Sequence, residues 1–161
     1  MRLVPMRRGA PLGLLLVAAC APHLTRPPTE AERAGLGRMV QALKAHAGRT
    51  GDPGDELVAT AADDVVRSDR VLLFEDSPRR YGYVILGRLY LHDSLFDDDG
   101  AWEAFSLEML YHEGVHLTQS CCELFLTPRR MEAEAKARTR KFFERFDWDQ
   151  LQRRHRGRHG R

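Results

Sequence analysis

The sequence predicts an α+β domain in which one small antiparallel sheet packs against helices. Three observations carry this. Apolar residues recur at helical spacing over residues 30 to 67. β-Branched and aromatic residues then crowd residues 71 to 92. Helical spacing returns between Ala101 and Phe146. At 161 residues the chain suits a single domain with tails, long enough to bury a modest core.

Taken in order, residues 1–19 are expected to lie outside the fold. Arg2, Arg7 and Arg8 precede an apolar run, Leu12 to Ala19, and small residues lead to Cys20. This is the three-part layout of a secretory signal, and the apolar run is too short for a permanent membrane span. "VAAC" resembles a bacterial lipobox, with Val17 where leucine is commoner. That resemblance implies lipidation at Cys20 and a chain exported to the cell envelope and anchored to a membrane by its lipid. Ala21, in place of an aspartate, points to the outer membrane. An ordinary signal peptide cut near Ala19, with Cys20 incidental, is the alternative.

Loss of the signal segment takes the formal charge from +2 to −1, because three arginines leave with it. Five more arginines stand in the last nine residues, "RRHRGRHGR", which leaves an acidic body. Residues 151–161 read as a disordered basic tail, suited to anionic headgroups or to solvent alone. No nucleic-acid partner is expected, since no stacking or groove-reading motif is present.

Residues 20–29 read as a tether, and residues 30–150 as the folded domain. Thr29 is a good N-cap for a helix from about 30 to 46, with Glu30 and Glu32 in its first turn. "GRTGDPGD", residues 48 to 55, reads as a loop. Asp55 is the expected cap of a second helix, through about Arg67. "VLLFE" reads as a strand, "SPRR" as a turn, and "YGYVILGRLYLH" as a strand or a tight pair. Asp97, Asp98 and Asp99 do not match an EF-hand loop and read as a solvated turn. Two helices follow, from about Ala101 to Ser120 and from about Pro128 to Phe146.

The third of these four helices carries "HEGVH". His112 and His116 stand one turn apart, about 40° from each other around the axis. Two imidazoles so placed can share one Zn²⁺. Glu113 is offset by about a quarter turn, which suits a general base beside the metal and not a ligand to it. Phe105 and Met109 share the histidine face, so that face is expected to be the buried one. Gly114 costs about 1 kcal/mol against alanine in a helix interior, and its missing side chain leaves room for close packing or for substrate.

A catalytic zinc takes a third protein ligand. The pattern HExxHxxGxxH is not met, because Gln119 and Cys122 stand where its glycine and third histidine belong. Cys122 at that place is one candidate. Glu132 and Glu134 on the next helix are the others. Met131, Ala135, Phe142 and Phe146 cluster within about 60° of arc, with Glu132 about 55° and Glu134 about 105° from the apolar face. Glu132 is therefore the first choice and Glu134 the second. Cys121 and Cys122 otherwise read as small buried hydrophobes, or as a redox-sensitive pair.

HExxH on one helix with a glutamate on the next resembles the gluzincin class of zinc metallopeptidases, in a minimal form, over about residues 85 to 146. The resemblance implies a small sheet packed on a zincin-type active-site helix and a C-terminal helix. It implies a peptide or protein substrate and amide hydrolysis with Glu113 as base. In that class the glutamate ligand is followed by two residues, a small residue and an aspartate. Here Ala135 is the small residue, and Lys136 replaces the aspartate that would support a histidine ligand. Tyr83, Tyr90, His92 and Tyr111 are candidates by type for stabilising an oxyanion. "YVILGRLYL" corresponds to the strand that lines the cleft in such folds. A different class of reading, a non-catalytic envelope binding lipoprotein with structural or absent metal, is the alternative.

Overall fold

The computed structural model describes residues 24–75, 81–96, 104–119 and 128–148. The expected signal segment, Cys20, the aspartate run, the cysteine pair, the "SPRR" turn and the basic tail lie outside the described residues. Strand β1, Thr25–Arg26, opens the fold, followed by helices α1, Glu30–Thr50, and α2, Pro53–Arg67. Strands β2, Val71–Phe74, β3, Gly82–Ile85, and β4, Arg88–His92, come next, and a 3₁₀ turn covers Asp93–Leu95. Helices α3, Ala104–Thr118, and α4, Pro128–Glu144, complete it.

The α+β reading holds, with one correction to the sheet. Its order is β1-β2-β4-β3, and the central pair β2–β4 runs parallel, while β1–β2 and β3–β4 are antiparallel. The sheet is mixed because β4 inserts between β2 and β3. The apolar "VLLF" and the Leu89 and Leu91 positions of β4 demand burial, and interior strands supply it. Gly82 leaves β3 with less to bury, so it takes the edge. β3 and β4 form a hairpin through Leu86 and Gly87, both at positive φ (51° and 71°), which matches the twist of a two-residue connection.

The tether prediction is also corrected in part, since Thr25 and Arg26 pair with β2. Arg26 then reaches Glu32 through two hydrogen bonds of 2.7 and 2.8 Å. Glu32 also accepts from the Thr29 backbone N–H at 2.6 Å, closing a capping box at the start of α1. The Arg26 hydrogen bond is the main reason the Glu32 carboxyl lies well below its ordinary 4.5, at about 2. A depressed folded value means that this stabilisation is full above pH 4.5 and disappears as the pH falls toward 2. Arg26 is partly solvated, which discounts the effect, so Glu32→Ala is expected to cost about 1 kcal/mol at pH 7. The gap in melting temperature between parent and variant should narrow between pH 5 and pH 3, and a constant gap would contradict the assignment.

α1 runs to Thr50 and ends at Gly51 in the left-handed conformation, so the connection to α2 is shorter than the expected loop. The cap of α2 is Asp52, not Asp55. Pro53 supplies the first-turn φ, and Asp52 accepts from the Gly54 N–H at 3.0 Å. Asp55 is instead buried in the first turn and takes a tertiary role. It accepts a 2.6 Å hydrogen bond from the Tyr111 hydroxyl of α3 and a 3.2 Å bond from Arg145, just past α4. Arg138 of α4 donates to the Gly54 carbonyl at 2.7 Å, and Lys141 pairs with Asp52 at 3.3 Å. These bonds fasten α4 across the N-terminus of α2 and alongside α3.

The core lies between the helices and one face of the sheet. Leu36, Met39 and Leu43 of α1, Val58 and Ala62 of α2, Leu73, Leu89 and Leu91 of the sheet, and Leu107, Leu110 and Val115 of α3 are all buried there. Tyr111 stacks on Phe142 at 4.0 Å between ring centres, which joins α4 to that core. The two readings of Gly114 are decided in favour of packing. A Cβ on Gly114 would meet Val58 Cγ1 at 2.9 Å and the Val58 carbonyl oxygen at 3.4 Å. The glycine lets α2 and α3 approach closely, and that contact offsets its helix-propensity cost.

Candidate metal centre

α3 presents His112 and His116 at i and i+4, with ring centres 4.9 Å apart and planes at 81°. α4 starts nearby because of the α2–α4 bonds and the Tyr111–Phe142 stack. Its first turns bring Glu132 opposite the histidines. Glu132 Oε2 lies 3.5 Å from His112 Nε2 and 3.3 Å from His116 Nε2. One ligand atom from each residue fits within 4.8 Å of the other two. A tetrahedral zinc with bonds of about 2.0–2.1 Å spaces its ligand atoms about 3.3 Å apart. The Glu132–histidine distances therefore suit zinc, and the two-nitrogen, one-oxygen donor set suits it chemically.

Glu132 and Glu134 separate cleanly. Glu132 Oε2 faces both imidazoles, while its Oε1 pairs with Lys136 at 3.0 Å. Glu134 is exposed, and its carboxylate accepts from the Gln119 side-chain amide at 3.4 Å. Helical phase had ranked the two glutamates in the same order. Cys122 lies outside the described residues. Lys136 pairs with the outward oxygen of Glu132, which leaves the inward one facing the two imidazoles.

Burial is the main influence on His112 and lowers its pKa, with the Glu132 charge acting the other way. That favours the neutral imidazole, the form that binds metal. Burial alone would raise the Glu132 carboxyl. The Lys136 hydrogen bond and the two histidines outweigh it and hold the group below its ordinary value.

Glu113 points the other way, toward the sheet. It is 4% exposed and lies beneath Gly82 of β3, where a Cβ would come within 2.8 Å of Glu113 Cγ. Gly82 thus makes space for this carboxylate. Among the described residues, Glu113 Oε2 is buried with no hydrogen-bond partner. Burial, and to a lesser extent the Glu132 charge, push the carboxyl up to about 8. A group in that range can both take and return a proton near neutrality.

The histidine face is not the deeply buried side of α3, as the sequence suggested. Leu107, Leu110, Tyr111 and Val115 hold that side, while Phe105 is exposed and meets the Tyr81 ring at 4.8 Å. His112 and Glu132 instead open onto a groove of about 560 Å³ between α3 and α4, lined also by Glu108, Met109, Lys136 and Phe143. The oxyanion candidates have other places. Tyr111 is fully buried and bonded to Asp55. Tyr83 and Tyr90 stack on each other at 4.6 Å, on the sheet face away from α3. His92 caps the 3₁₀ turn by accepting from the Ser94 N–H at 3.1 Å.

One residue the sequence marked only as the absence of a glycine proves to touch the site. Gln119 Oε1 stands 2.8 Å from His116 Nδ1, and Gln119 Nε2 stands 3.3 Å from the Met131 carbonyl. Its position three residues past His116, about one helical turn, was the available signal. No family model, curated protein or solved structure matches this chain.

Proposed function

We propose that the protein is a zinc-dependent hydrolase that cleaves amide bonds in peptides, with Glu113 as general base. The observation that carries the reading is the convergence of His112, His116 and Glu132 at metal-ligand distances, next to a buried glutamate that is not one of the three. Held by these three side chains, zinc would supply Lewis acidity to a water and to the scissile carbonyl. Glu113 takes a proton from the attacking water and returns it to the leaving amine. Its burial beneath Gly82 keeps its carboxyl away from bulk solvent.

The substrate reading rests on β3. It is an edge strand among the described residues, and the His92 N–H donates to the Tyr81 carbonyl across the hairpin. The alternation of an antiparallel pair then turns the backbone groups of Gly82 and Val84 outward. An extended peptide adding to that edge would run past Glu113.

The reading includes export and a lipid anchor at Cys20, supported by the basic start, the short apolar run and "VAAC". No helix among the described residues is long and apolar enough to cross a membrane. Cys20→Ala is expected to move the protein from the membrane fraction to the soluble fraction of its host cell, and unchanged membrane retention would overturn the anchor.

The deciding experiment is elemental analysis of chain purified without chelator, followed by a peptide-library cleavage assay. About one zinc per chain and chelator-sensitive cleavage are the expected results. A chain that takes up no zinc on reconstitution would overturn the enzyme reading in favour of an envelope binding module.

A further inference from the structure

The geometry points to Gln119 as a positioning residue for the metal centre, a role that rests on the zinc reading above. Gln119 stands at the C-terminal end of α3, and each end of its side-chain amide meets a different group. Its nitrogen faces the Met131 carbonyl at 3.3 Å and the Glu134 carboxylate at 3.4 Å. A carbonyl oxygen only accepts, and so does an ionised carboxylate, so the amide end facing them is the NH₂. The oxygen end therefore faces His116 Nδ1, at 2.8 Å. An acceptor there requires the imidazole to carry its hydrogen on Nδ1. The lone pair is then on Nε2, the atom 3.3 Å from Glu132 Oε2.

Gln119 thus selects the tautomer and ring orientation in which His116 can bind metal. Met131 and Glu134 keep the amide from turning over. Because both flank Glu132 on α4, the same residue ties the histidine helix to the glutamate helix. In the gluzincin pattern an aspartate at position 136 would provide such support; this chain has Lys136 there and uses that lysine on Glu132 instead. Glu134, the second-choice ligand, acts one step further out by orienting Gln119.

Two measurements on the full chain test this. Zinc affinity is read by competition with a chelator for the parent, Gln119→Leu and Gln119→Glu, together with melting of each metal-free protein. Gln119→Leu removes the acceptor at similar size and should weaken zinc binding about 10–100-fold while the metal-free melting temperature stays near the parent's. Gln119→Glu keeps an acceptor for Nδ1–H but sets a carboxylate oxygen against the Met131 carbonyl and the Glu134 carboxylate, and should bind zinc more tightly than Gln119→Leu and less tightly than the parent. Equal zinc affinity in Gln119→Leu and the parent would overturn the role while leaving the zinc reading intact. A parent that binds no zinc would instead overturn the zinc reading and this role with it. The second measurement needs no variant: nitrogen NMR of the metal-free parent should find His116 in the Nδ1–H tautomer, and the Nε2–H tautomer would overturn the assignment.

Discussion

Glu113→Gln is expected to bind zinc like the parent and to lose turnover by a factor of about 10²–10⁴, the range for removal of a positioned acid–base group. The substitution is nearly isosteric, so the fit beneath Gly82 is kept. Glu113 is not among the three converging ligands, so metal content should not change. What disappears is the capacity to take a proton from water and pass it to the amine. Stability supplies an internal control. The buried Glu113 Oε2 lacks a hydrogen-bond partner among the described residues, and its ionised form is disfavoured there. Replacing the group by a neutral amide should leave the melting temperature unchanged or raise it. A variant that keeps zinc, folds, and turns over at the parent's rate would move the base to another residue.

The second large effect is expected from Glu132→Ala. This removes the member of the proposed zinc triad that α4 supplies and leaves two histidines, one fewer protein ligand than a catalytic zinc takes. Zinc affinity should fall by more than the roughly 10–100-fold seen when an outer partner is lost. Glu134→Ala is the matched comparison, two residues away on the same helix. Its carboxylate meets the Gln119 amide at a long 3.4 Å, so its loss should change affinity by no more than about threefold. Chelator competition on both variants reads the ratio directly. A larger loss in Glu134→Ala would exchange the roles of the two glutamates.

Much of this site was legible in the chain before any tertiary contact was known, because the relevant spacing is local. Four residues make one helical turn, so "HEGVH" places His112 and His116 together wherever the helix packs. The phase of α4 was equally local. Met131, Ala135 and Phe142 define its buried stripe, and Glu132 is nearer to it than Glu134. The Thr29 cap was readable for the same reason, since its partner Glu32 is three residues away. The β-rich composition of residues 81 to 92 was local too, and it left a strand or a tight pair open; the fold makes it a hairpin.

Where the reading failed, two local choices were nearly equal, or the answer depended on a distant partner. Asp52 and Asp55 are both acceptable caps on α2; Pro53 and the distant groups Tyr111 and Arg145 decide between them. Phe105 shares helical phase with the histidines, but the α3 face that is buried is the one α2 covers, through Gly114 against Val58. The place of Gln119 one turn past His116 was readable, but the orientation of its amide depends on Met131 and Glu134, which α4 brings within its reach.

The sequence by itself marked out the four helices, the β-rich stretch and the candidate residues His112, His116 and Glu132, because periodicity and capping depend on neighbours a few residues away. Only the tertiary structure decided the parallel β2–β4 pairing, the close α2–α3 approach at Gly114, the Asp55–Tyr111 bond between α2 and α3, and the turn of Gln119 toward His116. Each of these joins groups brought together by chain closure. Their energies come from burial and hydrogen-bond satisfaction in three dimensions, which no repeat along the chain records.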